Sequence, residues 1–312
     1  MNIHYHQLNV CELDKELEKI KSISGGRNKI LIGLEITIPE ISKKLTYNID
    51  PQHHLKIWLD NKESNVTCLE KFRNFLPRVN EMTGKELHVF FLKPDLDSIS
   101  AAAVLDIYLD NPTWILQEDI SERIQAIADY DKHGRICNKL LHSPKIPRGL
   151  FMYVAGWKNS IYDKISITKT WILDGTFKDI SKFNRIADRK FKQSLFNSKT
   201  EIIIPKKLVF IKSINRGACG LGYRYAPVTV ALNPSYRFGI DDSRIYGKKW
   251  IIAQQSNGFI NMSGILEELS KIEPGWGGSP SIIGSPQDRP SKILKDDIID
   301  IVIQKMLVSS ET

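Results

Sequence analysis

Lys85-Glu-Leu-His-Val-Phe-Phe-Leu92, followed by Lys93-Pro-Asp95-Leu-Asp97-Ser98 and then Ile99-Ser-Ala-Ala-Ala-Val-Leu-Asp-Ile-Tyr-Leu109, is the stretch that decides the fold. Its first eight residues are a near-continuous apolar run, the pattern of a strand covered on both faces. Pro94 breaks that run, and the Ala-rich apolar segment after it reads as a buried helix starting where the strand stops. The order is strand, loop, helix.

The same order recurs on both sides. Upstream, Cys11 to Ser24 has amphipathic helical spacing, with Leu13, Leu17 and Ile20 on one face, and Gly25-Gly26 ends it. Lys29 to Ile38 has strand composition, a brief helix is expected from Pro39, and Thr67 to Leu76 reads as a helix. Downstream, Trp114 to Leu116 reads as a short strand. Ile120 to Asp129 reads as a helix with Ile120, Ile124 and Ile127 on one stripe, closed by Gly134. Repeated alternation of this kind predicts an α/β domain, a mostly parallel sheet flanked by helices.

Beyond Lys199 the pattern changes. Glu201 to Ile204, Leu208 to Ile214, Val228 to Leu232 and Trp250 to Gln254 are short apolar runs separated by Gly, Pro and Asn. They predict a smaller α+β domain with a largely antiparallel sheet, covered by helices at Ser263 to Lys271 and Ile293 to Val308. The expected organisation is a first domain over residues 1–180, a basic helical connector over 181–199 and a second domain over 200–312.

With 312 residues, 42% of them apolar and 26% charged, the chain has the composition of a soluble globular enzyme. No apolar run approaches the roughly 18 residues of a membrane span. Cys11, Cys68, Cys137 and Cys219 lie far apart without a Cys-x-x-Cys pair, which argues against disulfide frameworks and zinc ribbons. Met1-Asn-Ile-His-Tyr-His6 has no basic, then apolar, leader pattern, so a cytoplasmic location without membrane association is expected. The net charge of +8 favours polyanionic partners but specifies none.

Asp95 and Asp97 stand two apart beyond the carboxyl end of a predicted strand, where ligand crevices form in open parallel sheets. Two carboxylates so placed can aim at one hard cation, Mg²⁺ or Mn²⁺, and Ser98 with the first helical amides can meet a phosphate oxygen. The same spacing also suits a plain helix cap, which needs no metal. Asn48-Ile-Asp50-Pro-Gln-His53-His54 supplies one oxygen and two imidazole ligands within a turn, or is an exposed turn with incidental histidines. Asp129 continues the apolar face of its helix and is expected to point inward, whereas Asp131 and His133 suit a polar helix end. Gly277-Gly278-Ser279, in a segment running from Glu273 to Pro286, has a backbone free to approach an anion, or simply a tight turn. Arg216, Arg224 and Arg289 are candidate phosphate clamps. A lone strand histidine such as His88 reads first as structural packing.

Pro94-Asp-Leu-Asp-Ser-Ile-Ser-Ala-Ala102 resembles the first motif of the DHH phosphoesterase superfamily, which includes family II inorganic pyrophosphatases, single-strand exonucleases and cyclic-dinucleotide phosphodiesterases. Asp50 with His53 and His54 is similar to the Asp-His-His signature of that family. Here it carries two inserted residues and precedes the Asp-x-Asp loop instead of following it. The segment around Gly277 resembles the glycine-rich motif of the family's second domain, with Ser279 at the histidine position. Phe91 stands where the family carries a metal-binding histidine.

The resemblance implies a phosphoesterase using Mn²⁺ or Mg²⁺, acting on a nucleotide, a short single-stranded oligonucleotide or another phosphodiester or phosphoanhydride. It implies Asp95, Asp97 and His53 at the catalytic centre and Asp50, His54 and Asp129 as further metal ligands. Ser98, Gly277, Gly278, Ser279 and Arg224 would then contact substrate, and a homodimer is compatible with it. The alternative is a chain whose catalysis has decayed and which binds a nucleotide or nucleic acid as a sensor or scaffold.

Overall fold

The computed structural model describes residues 2–9, 12–24, 29–34, 56–59, 76, 86–91, 94–133, 147–156, 158–215, 218–238, 245–255 and 258–309. The chain divides into two compact units, one of residues 1–132 and 144–187, the other of residues 133–143 and 188–312. No helix among the described residues is long and apolar enough to cross a membrane.

The first unit is built on a four-stranded sheet of β1 (Ile3–Gln7), β2 (Lys29–Leu34), β3 (Lys56–Leu59) and β4 (Glu86–Phe91), in the order β1-β4-β2-β3. Every pairing in it is parallel. Strand alternation divides the side chains between two faces. Ile30, Ile32, Leu34, Leu87, Val89 and Phe91 share one face and one core with helix α2 (Leu96–Asp110). Residues Leu96 to Leu105 of α2 are all buried, the signature of a helix enclosed all round and not of one with a single wet face. Helix α1 (Leu13–Ser24) buries Leu17 and Ile20 and packs beside β2.

Three more helices complete this unit. Helix α3 (Glu118–His133) gives Ile120, Ile124, Ile127 and Ala128 to the core. Helix α4 (Arg148–Val154) packs on α5 (Ile161–Asp174), which itself lies against α2. Ser160 caps α5 by accepting the Asp163 amide, and Gly175 ends it at φ 72°, in the left-handed region.

Trp114–Leu116 is a 3-10 turn instead of the expected strand. The Asn111 carbonyl oxygen of the side chain takes the Thr113 amide and hydroxyl, and the Trp114 carbonyl takes the Gln117 amide. Those bonds satisfy the backbone locally, so the segment has no need of a strand partner.

The second unit carries a six-stranded sheet in the order β5-β6-β7-β8-β10-β9. Its strands are β5 (Ser198–Ile204), β6 (Leu208–Ser213), β7 (Val228–Phe238), β8 (Ile245–Gln254), β9 (Gly277–Ser279) and β10 (Ile282–Gly284). All pairings are antiparallel except β6 with β7. Between those two runs the short helix α7 (Ala218–Gly222), which shares a core with Val209, Ile211, Ala231 and Ala253. Helices α8 (Met262–Ile272) and α9 (Lys295–Ser309) cover a larger core of Phe210, Val230, Trp250, Ile252, Leu269 and Ile298. Helix α6 (Ile180–Phe196) contains the division between the units and buries no residue fully. The architecture is therefore α/β with a parallel sheet, followed by α+β with a largely antiparallel one.

Candidate functional site

β4 ends at Phe91, a fully buried core residue whose ring centroid lies 6.2 Å from that of Tyr5. Asp95 then adopts extended backbone geometry as the N-cap of α2. Its Oδ1 accepts the Ser98 amide at 3.1 Å and the Ser98 hydroxyl at 2.8 Å, while Ser98 Oγ accepts the Asp95 amide at 3.1 Å. This reciprocal capping box satisfies donors that the first turn would otherwise leave open. It occupies Oδ1 of Asp95 and leaves Oδ2 outside the cap. Ser98 is fully buried, and its amide and hydroxyl both go to Asp95.

Asp97 is 1% exposed and sits in the first turn of the same helix. The N-terminal end of the helix dipole favours its negative charge. Both carboxylates thus lie at the carboxyl end of the parallel sheet, in a turn whose conformation the cap fixes.

Asp129 is half-buried on α3, beside the fully buried stripe of Ile124, Ile127 and Ala128, and its Oδ1 accepts the Gln125 side-chain amide at 3.0 Å. Asp131 and His133 belong to the last turn of that helix. Asp50, His53, His54 and Arg216 lie outside the described residues.

The glycine-rich segment belongs to the second unit and forms a tight hairpin. Gly277, Gly278 and Ser279 form β9, paired residue for residue with Gly284, Ile283 and Ile282. Gly278 has φ 154°, and a Cβ there would lie 2.1 Å from the Ile282 carbonyl oxygen, so strand pairing alone requires glycine. Ser279 Oγ lies 3.1 Å from Ser281 Oγ.

Around this hairpin the polar groups are tethered. Lys249 Nζ, itself buried, donates to the Ser285 and Pro286 carbonyls. Buried Glu273 accepts the Trp276 indole N–H at 3.0 Å, the Ser291 hydroxyl at 2.7 Å and the Lys292 amide at 2.8 Å. Arg289 pairs with Asp288 at 2.9 Å and donates to the Pro274 carbonyl. Arg224 is exposed, with its guanidinium 5.6 Å from the Phe191 ring centroid.

A second polar cluster occupies the other face of the first sheet. Tyr5 of β1 points toward α2, where its hydroxyl donates to Asp106, so His4 and His6 project from the opposite side. β4 lies next to β1, with His4 opposite His88 and His6 opposite Phe90. The His4 and His88 rings stack at 4.8 Å and those of His6 and His88 at 5.3 Å.

His6 Nε2 lies 3.0 Å from His88 Nδ1, and Glu86 Oε2 lies 3.6 Å from His88 Nε2. His88 is 6% exposed, and its Nε2 is buried without a hydrogen-bond partner. Burial, together with Lys19, His88 and His4, pushes the His6 pKa down to about 4. Burial, then His4 and Lys29, also lowers that of His88, with Glu86 opposing. Both shifts favour the neutral imidazoles of His6 and His88, the form that ligates metals. The sequence signal for this cluster is the pair of motifs His4-x-His6 and Glu86-x-His88, each confined to one strand face by the two-residue repeat.

No protein-family model matches the chain, and no curated protein matches it.

Proposed function

We propose that the chain is a divalent-metal-dependent phosphoester hydrolase whose metal carboxylates are Asp95 and Asp97. One observation carries the reading: Asp97 is 1% exposed, yet stands with Asp95 in the first turn of α2, at the carboxyl end of an all-parallel sheet. This end of a parallel sheet is where crevices for ligands form, and the first turn of the following helix holds both carboxylates there. The donor set fits a hard cation, since both groups are carboxylates and the cap engages only Oδ1 of Asp95.

When bound, Mn²⁺ or Mg²⁺ supplies charge neutralisation for phosphoryl oxygens and acidifies a water molecule. The chain's own part is to fix the carboxylates. The capping box sets the Asp95 rotamer, and enclosure of α2 holds Asp97 in place. Asp129, Asp50, His53 and His54 are the candidates for the remaining ligands. The substrate class is a phosphate-bearing small molecule or a short single-stranded nucleic acid. The hairpin glycines Gly277 and Gly278 and the exposed Arg224 carry no part of this reading.

Phe91 favours a second reading, binding without turnover. It stands at the position of a family metal ligand, and here it is a fully buried core ring. Metal titration and turnover together separate the two. Hydrolysis of nucleotides, pyrophosphate or short oligonucleotides with Mn²⁺, lost in Asp97→Asn while circular dichroism is unchanged, is the expected result. Tight nucleotide binding without product supports the second reading. Wild-type protein that binds neither Mn²⁺ nor any phosphate compound removes both.

A further inference from the structure

The geometry points to a zinc-class cation site on the first unit, formed by His4 of β1 with Glu86 and His88 of β4. One ligand atom from each of these residues lies within 4.8 Å of the others. Zn–N and Zn–O bonds of about 2.1 Å at tetrahedral angles place neighbouring ligand atoms roughly 3.4 Å apart. Glu86 Oε2 and His88 Nε2 are already 3.6 Å apart. The His4 ring has to turn out of its stack on His88 to close the third edge. Terminal ring torsions are broad, so this is a small movement.

The independent observation is His88 Nε2. It is buried, it has no hydrogen-bond partner, and it is aimed at Glu86. Buried polar atoms without partners are rare in folded proteins and ask for an explanation, an ion among them. The other nitrogen of the same ring is engaged, because His88 Nδ1 lies 3.0 Å from His6 Nε2. A ligating histidine normally has its second ring nitrogen held in this way, which fixes tautomer and ring orientation. His6 is thus a positioning residue, and Nε2 of His88 is the ligand atom.

The donor chemistry selects the ion. Two imidazoles and one carboxylate suit Zn²⁺ and its borderline neighbours far better than Mg²⁺, which prefers oxygen ligands. Three protein ligands leave a fourth position, and Glu86 keeps it within reach of solvent with 48% of its side chain exposed. Lys29 Nζ, 3.9 Å from Glu86 Oε2, is the cation that a metal ion would compete with for this carboxylate.

The site stands apart from the one proposed above. Glu86 opens β4 and Phe91 closes it, which separates the ends of the strand by about 16 Å along its axis. The clusters also use opposite faces, since His88 projects away from α2.

The test uses full-length, tag-free protein and zinc alone, with cobalt as the spectroscopic probe. Isothermal titration should give one Zn²⁺ per chain, and Co²⁺ should develop the visible d–d bands of a low-symmetry nitrogen and oxygen site. His4→Gln and Glu86→Gln, both at positions that are not fully buried, should each weaken Zn²⁺ by at least about tenfold, as loss of one of three protein ligands requires. His6→Phe should alter the Co²⁺ spectrum without abolishing binding, whereas a role in packing alone would leave the spectrum unchanged. Asp97→Asn should leave Zn²⁺ uptake intact, so failure of the hydrolase reading and failure of this one are distinguishable. The site is overturned if wild-type protein takes up no Zn²⁺, if His4→Gln and Glu86→Gln bind it like wild type, or if Asp97→Asn alone removes it.

Discussion

At the scale of single residues, the clearest electrostatic tension outside the candidate sites is Asp106 on α2. Burial raises its pKa, while the hydrogen bond from Tyr5 and the charge of Lys169 pull the other way without cancelling the shift. A carboxyl whose folded pKa exceeds its unfolded value near 3.8 binds its proton more tightly in the native state. Stability therefore rises as pH falls through the folded pKa toward 3.8, and the ionised form weakens the fold at neutral pH. Asp106→Asn keeps an acceptor for Tyr5 and removes the charge. Urea unfolding should find this variant more stable than wild type at pH 7, with the gap closing as pH approaches 3.8, at a slope of at most about 1.4 kcal/mol per pH unit. A gap that stays constant with pH would show that Asp106 does not titrate differently in the two states. Residues of this kind explain what was legible at this scale. The placement of Asp95 and Asp97 at the start of α2 was legible because their spacing and the following helix are local. The cluster of His4, His6 and His88 is only half legible: each His-x-His or Glu-x-His pair is local, but His6 and His88 are 82 positions apart and meet only once β1 is known to lie beside β4.

At the scale of elements, apolar segments were legible whether long, as α2, or short, as β6, and short segments broken by polar residues were not. β4 and α2 announced themselves because five consecutive buried positions in the strand and ten in the helix leave little choice of structure. β1 and β3, with 5 and 4 residues, are too short for a periodic signal, and the histidines of β1 disguise it further. The glycine-rich run around Gly277 leaves two readings open in the sequence, an anion-binding backbone or a tight turn, for a physical reason. Glycine serves equally where a backbone must approach a ligand and where it must approach another strand, and here the Ile282 carbonyl is the close neighbour. The β9–β10 hairpin is held to its unit by Glu273, whose three acceptor bonds join Trp276, Ser291 and Lys292. Glu273→Ala leaves the buried Trp276 and Ser291 donors and the part-buried Lys292 amide without a partner, and a loss of roughly 3 kcal/mol is expected from the cost of stranded donors. The midpoint of urea unfolding measures it, with Trp276 fluorescence as the local probe. A loss below about 0.5 kcal/mol, the range of ordinary surface changes, would mean that the tether is not structural.

At the scale of the whole molecule, the change from alternating strand–helix order to clustered short strands was enough to separate a parallel sheet from a largely antiparallel one. The single parallel pairing of β6 with β7 was not legible, because the sequence pattern of a strand does not record the direction of its neighbour. The two units have separate cores. One centres on Leu105, Ile107 and Val89 against the parallel sheet, the other on Leu269, Ile265 and Trp250 in the second unit, and the two share no residue. Separate cores predict separable unfolding. Leu105→Ala and Leu269→Ala each empty a fully buried site and should each cost about 2–5 kcal/mol. Differential scanning calorimetry should then show two transitions, one lowered by Leu105→Ala and the other by Leu269→Ala. A single transition lowered equally by both variants would show that the two cores unfold as one. The same experiment locates the cation. His4, Glu86 and His88 all belong to the first unit, and a ligand stabilises only the cooperative unit that binds it. Added Zn²⁺ should therefore raise the transition that Leu105→Ala lowers and leave the other in place, whereas a rise confined to the second transition would put the metal on the other unit.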